Sequence, residues 1–124
     1  MASILRYTIV VTGSAYGTQS AFCAYQFCQA LIEAKQKIEA IFFYQDGVYN
    51  ANSFTSPAND EFNLVDAWQR FASLHKIPLT VCISAAQRRG VVSDLDNNLA
   101  TGFELTGLGE LTEKIATSDR VIQF

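Results

Sequence analysis

A chain of 124 residues, 49% hydrophobic and 17% charged, has the size of one ordinary domain with a core of its own. Nine basic against twelve acidic residues give a net charge of −3, and the Lys and Arg residues are scattered, which argues against direct binding of nucleic acid. No apolar run approaches the ~18 residues that span a bilayer, and three cysteines without C-x-x-C spacing beside a single histidine suggest neither a disulfide framework nor a metal centre. So little charge for the size hints that part of the surface is covered by a partner.

The amino terminus carries a short apolar run without a basic leader or a small-residue cleavage site, so it reads as a first strand and the protein as cytoplasmic. Ile4 to Val11 is continuous in apolar and β-branched residues, as a strand covered on both faces should be. Gly13 to Gly17 forms the loop after it, with Thr18 as the expected N-cap of a helix to about Ala34. Ala21, Tyr25, Cys28 and Ile32 make one apolar stripe on that helix, so Cys28 reads as core, whereas Cys23 falls off the stripe. Ile38 to Tyr44 is the second strand. The stretch Gln45 to Pro57, with Tyr49 and Phe54 inside it, is too long for a plain connector and is expected to be a functional or interfacial loop. Asn59 or Asp60 is expected to cap a helix to about His75, with Leu64, Trp68, Phe71 and His75 on one face, which makes Trp68 and His75 structural.

Leu79 to Ile83 is a short buried strand, after which Ser84 can cap a turn of helix through Gln87, with Gly90 as the stop. Val91 to Gly102 is polar and irregular, with Asp94, Asp96, Asn97 and Asn98. Phe103 to Leu105 is a brief strand. Thr106 to Glu110 opens a helix in which Leu108, Leu111 and Ile115 are expected to face the core, and Val121 to Phe124 is the last strand. Strands alternating with helices predict a single α/β domain over residues 1–124: a three-layer α/β/α sandwich with a mostly parallel sheet of about five strands.

Cys82 is the candidate for chemistry, the alternative reading being a buried structural cysteine. It falls near the carboxyl end of a strand just ahead of a helix start, where ligands bind in open α/β sheets. A sulfur there faces unpaired backbone N–H groups, and Arg88 and Arg89 lie close by in sequence, all of which favour an anion. The other motifs are weaker. Gly107-x-Gly109-x-x-Thr112 lacks the third glycine and the later acidic residue of a dinucleotide site, and reads as a glycine-softened helix start. Gly13-x-x-x-Gly17 lacks the phosphate-loop lysine, and no G-x-S-x-G occurs. No cofactor is expected, flavin being allowed by architecture alone. A lone activated cysteine suits reactions in which sulfur is both nucleophile and cargo, namely disulfide exchange and persulfide transfer.

The segments V-V-T-G-S-A-Y-G-T-Q (10–19), F-F-Y-Q-D-G-V-Y-N-A-N (42–52), V-C-I-S-A-A-Q-R-R-G-V-V (81–92), L-T-G-L-G-E-L (105–111) and D-R-V-I-Q-F (119–124) resemble the DsrE family nearly end to end. That resemblance implies a cytoplasmic sulfurtransferase whose cysteine, matching Cys82, carries a persulfide sulfur. It implies homologous TusB and TusC subunits in a hetero-hexamer, TusA as sulfur donor, TusE as acceptor, and a relay toward 2-thiouridine at the tRNA wobble position. Segment 93–102 is shorter than the family's pattern. Two alternatives stay open: a DsrE-type subunit of a DsrEFH complex in sulfur oxidation, with a DsrC-type partner, and a non-catalytic scaffold subunit, against which the retained cysteine speaks. Ser84, Arg88 and Arg89 are the expected supports of the Cys82 anion, with Tyr16 and the 45–56 loop lining the cleft or a subunit interface.

Overall fold

A computed structural model describes residues 3–94 and 97–124, so Asp96 lies outside the described residues. Five strands form one all-parallel sheet: β1 (Arg6–Val11), β2 (Lys37–Phe43), β3 (Leu79–Cys82), β4 (Phe103–Thr106) and β5 (Arg120–Gln123), in the order β4-β3-β2-β1-β5. Four helices connect them: α1 (Ser20–Glu33), α2 (Leu64–His75), α3 (Ile83–Arg88) and α4 (Leu108–Thr117). The first three crossovers step the same way across the sheet, and right-handed connection puts their helices on one face; the return from β4 to β5 puts α4 on the other. Side chains agree. Tyr7 meets Phe27 of α1 and Phe43 meets Trp68 of α2, while Thr8, one residue on from Tyr7, bonds Ser118 and the Lys114 carbonyl at the end of α4. The expected three-layer α/β/α sandwich is therefore present. Among the described residues no helix is long and apolar enough to cross a membrane.

The two layers differ in thickness. Beneath α1 and α2 lie Ile9, Val11, Ile41, Phe43, Leu79 and Val81, all buried, with Trp68 sealing the centre. The α4 layer is thin. No residue of α4 is fully buried, and Leu108 and Ile115 are 48% and 43% exposed, against the expectation that they face the core. One ten-residue helix is too narrow to cover its face of a five-stranded sheet and bury its own apolar stripe as well.

Helix starts also differ from the expected caps. Asn63, not Asn59 or Asp60, caps α2, its side chain accepting from the Asp66 N–H at 3.0 Å. Gln19, not Thr18, precedes α1, and the Thr18 hydroxyl pairs with Ser20 instead. These two helices begin a residue or more after the expected cap, because the Thr18 hydroxyl is held by Ser20 and the Ala58 N–H by Glu61 in the loops before them.

The larger departure is the stretch after β2. Gln45–Ala51 is a 3₁₀ helix, not an open loop, and Gly47, Val48, Asn50 and Ala51 in it are buried. A Cβ on Gly47 would collide with the Val11 carbonyl, so only glycine lets this turn nest against the end of β1. Asn50 is its pin. Its amide donates to the Gly47 and Gly13 carbonyls at 2.9 and 3.0 Å and its oxygen accepts from the Trp68 indole N–H at 3.0 Å. Asn98 does the same for the 90s segment, donating to Gly90 and Asn52 and accepting from the Val92 N–H. Val91, Asn98 and Ala100 are buried, so this segment is a packed strap rather than a loose connection.

Asn50→Ala would strand the Trp68 N–H, the buried Gly47 carbonyl and the half-buried Gly13 carbonyl at once. The expected cost is about 3 kcal/mol, since each buried group left without a partner costs ~1–3 kcal/mol and some are rescued by water. Urea unfolding of the variant beside the parent measures it, and a loss below about 1 kcal/mol would show that the pin is dispensable.

Candidate active site

Every residue of β3 is buried, because β2 and β4 flank it and helices cover the sheet. The parallel register sets Phe43 beside Val81 and Val81 beside Leu105, so the next residues, Tyr44 just past β2, Cys82 and Thr106, stand in a row at three neighbouring strand ends. Strand passes into helix with no linker: Cys82 is the last residue of β3 and, with φ −62° and ψ 118°, also the N-cap of α3. Ser84 is therefore not the cap expected of it; it lies within the first turn, one residue after the helix begins at Ile83.

Cys82 is only 3% exposed, yet it lines a cavity of about 360 Å³ together with Tyr44, Ile83, Ser84, Arg88, Gly107 and Leu108. The cavity brings together the sulfur, one guanidinium and the start of a second helix, since Gly107 is the N-cap of α4 and no side chain caps that end. Unpaired N–H groups at the start of α4 and the Arg88 charge give this cavity partners for an anionic group. Gly107-x-Gly109-x-x-Thr112 is thus a helix start, as its residues suggest, and what it serves is the wall of this cavity.

Two of the expected supports lie elsewhere. Arg89 turns away from the cavity, its Nε 2.8 Å from Asp46 and its Nη1 donating to the Ala85 carbonyl, so it ties α3 to the 3₁₀ turn. Tyr16 is not among the residues around Cys82. Its hydroxyl donates to the Phe62 carbonyl at 2.6 Å and accepts from the Leu64 N–H, and it borders a separate cavity of about 590 Å³ with Phe22, Glu61 and Phe62. That cavity is the larger one but holds no thiol. Tyr44 is the aromatic at the site. The sequence carries the signal for it, because it ends the strand that a parallel sheet sets beside β3.

The remaining sulfurs and the histidine have other settings. Cys28 is buried on α1, and burial pushes its thiol up to about 12. Cys23 is exposed on the same helix. His75 packs on the Phe71 ring at 4.8 Å and shares no cavity with Cys82, so no Cys–His pair forms among the described residues. Those residues also contain no group of three or more His, Cys, Asp or Glu placed to hold a metal.

Residues 5–124 match the DsrE/DsrF-like family. The chain belongs to that family. It is 55% identical to the "Sulfurtransferase TusD homolog" of Vibrio vulnificus strain CMCP6, over 98% of this chain and 99% of the relative. Identity to "Sulfurtransferase TusD" of Photorhabdus laumondii is 54%, with the same coverage. In backbone shape it is similar to the crystal structure of the ychN protein from E. coli, with a TM-score of 0.83 over 98% of this chain and 100% of that one at 24% identity. Both the DsrE resemblance and the sandwich architecture read from the residues agree with these likenesses.

The site makes a charge-specific prediction. Because Arg88 shares the cavity with Cys82, Arg88→Gln should lower the rate of Cys82 alkylation by anionic iodoacetate relative to neutral iodoacetamide about fivefold, the worth of one unit charge at contact distance in water. An unchanged ratio of the two rates would mean that the Arg88 charge does not act on what approaches the sulfur. In the same experiment Cys28 should stay unlabelled until urea unfolds the chain, and Cys23 should label at once.

Proposed function

We propose that this chain is a sulfurtransferase that carries persulfide sulfur on Cys82. The observation that supports it most directly is the setting of that thiol: recessed, on a cavity wall, at a strand end, facing Arg88 and the open start of α4. Sulfur transfer as the activity rests on relatives named sulfurtransferase at 54% and 55% identity over nearly full length. The chemistry is an exchange without net redox. The Cys82 thiolate attacks the outer sulfur of a donor persulfide R–S–SH, the donor S–S bond breaks as the new Cys82–S–SH bond forms, and R–S⁻ departs. An acceptor thiolate then attacks the outer sulfur in turn and regenerates the Cys82 thiolate. Arg88 and the α4 N–H groups stabilise the anion on both sides of the exchange, while Ser84 and Tyr44 shape the cavity. No metal or cofactor enters this balance.

In this reading the donor is TusA, the acceptor is TusE, the relay ends in 2-thiouridine at the tRNA wobble position, and the protein works in the cytoplasm. The names of the relatives favour that relay over the sulfur-oxidation alternative. Assembly with homologous TusB and TusC subunits in a hetero-hexamer gives a reason for the apolar exposure of Leu108, Ile115 and Val121 on the thin side of the sandwich.

The test is loading with labelled sulfur from a cysteine desulfurase through TusA. Cys82→Ser should abolish loading, whereas Cys23→Ser and Cys28→Ala should load like the parent. Label that persists on the Cys82→Ser variant would remove Cys82 from the mechanism. A chain that loads but delivers to no TusE would keep the carrier and refute the proposed acceptor.

A further inference from the structure

One buried polar atom next to the site has no hydrogen-bond partner. Among the described residues the side-chain hydroxyl of Thr106 alone is closed to solvent and unpaired. Thr106 is the register partner of Cys82 across β3 and β4, so their side chains leave the same face of the sheet on strands ~4.8 Å apart. It also directly precedes Gly107, which lines the cavity. Buried hydroxyls are nearly always satisfied, and one left over beside a reactive group calls for a function. No hydrogen bond joins this hydroxyl to the Cys82 sulfur in the free protein. A persulfide adds a second sulfur about 2 Å beyond the first, a change on the scale of the gap between neighbouring side chains.

Resting on the reading of Cys82 as the carrier, we propose that the Thr106 hydroxyl is a positioning donor for the transferred sulfur. It hydrogen-bonds the outer sulfur of Cys82–S–S⁻ and not the empty thiol. The hydroxyl proton stays on Thr106 throughout. Because the bond exists only in the loaded state, it holds sulfur on the carrier between partners and fixes the direction in which the outer sulfur is offered.

The test compares the parent, Thr106→Val (same shape, no hydroxyl) and Thr106→Ser (hydroxyl kept), all carrying Cys23→Ser to remove the exposed second thiol, each loaded from glutathione persulfide and followed by intact mass. Under challenge with excess small thiol, the Val variant should lose its added sulfur about tenfold faster than the parent, the factor one ordinary hydrogen bond confers, and the Ser variant should restore the lifetime. Lifetimes within twofold for parent and Val variant would overturn the proposal, because a purely structural hydroxyl shifts the melting temperature of the empty protein without touching this rate. A second measurement compares each protein with its own loaded form. Loading should raise the melting temperature of the parent and of Thr106→Ser by more than that of Thr106→Val, and an equal shift in all three would also overturn the proposal. Cys82→Ser in the same series separates the two failures, since sulfur retained there refutes the carrier itself and not the donor.

Discussion

The parallel ladder of β2, β3 and β4 is the constraint on which the site depends. Its register brings three strand ends level, and the sheet stops there because β3 turns into α3 without a spare residue. A longer connection would let Cys82 swing clear of the sheet. With none, the residue that finishes the ladder must also open the helix, and its backbone angles belong to the strand. Burial of β3 from both faces makes that position hard to shift. A slip of one residue would send Leu79 and Val81 to the thin face and Cys82 into the Trp68 side of the core.

Around this rigid edge the two long connections are held by buried amides as well as by the apolar packing of Val48, Ala51, Val91 and Ala100. Asn50 pairs the Gly13 and Gly47 carbonyls and the Trp68 N–H, Asn98 pairs the Gly90 carbonyl, the Asn52 side chain and the Val92 N–H, and the Asn52–Leu99 bridge with the Ala100 N–H on the Ala51 carbonyl joins one connection to the other. Polar composition made both stretches look like surface loops. What the composition does not carry is where an amide points. Asn50 and Asn98 act as buried braces only because backbone far away in sequence lacks partners, and such a need is a property of the folded chain.

The same distinction explains how much of the site was legible. Cys82 could be found because strand and helix signals abut at that residue, and its functional weight came from the family resemblance. Arg88 and Arg89 could not be told apart. They are adjacent at the end of one short helix, but Arg89 is claimed by Asp46, 43 residues earlier, and only Arg88 lines the Cys82 cavity. Tyr16 and Tyr44 are a similar pair. Each follows a strand, but only Tyr44 ends the one that the sheet order sets next to β3. The order follows from the sense of the crossovers, which local pattern does not reveal.

The thin layer joins fold to function. Leu108 begins α4, borders the Cys82 cavity and is about half exposed, so it belongs both to the site and to the apolar side that α4 leaves bare. Exposed Ile115 and Val121 extend that side away from the cavity. Whatever buries this surface gains apolar contact and at the same time narrows the approach to Cys82. The thiol is recessed, whereas the outer sulfur of a persulfide reaches about 2 Å farther. A recessed thiol beneath a partly covered rim is shielded from bulky oxidants and thiols in bulk solvent. Under the proposed carrier role, the few apolar residues around the opening would select which sulfur Cys82 exchanges with, as the charge beside it would set how readily.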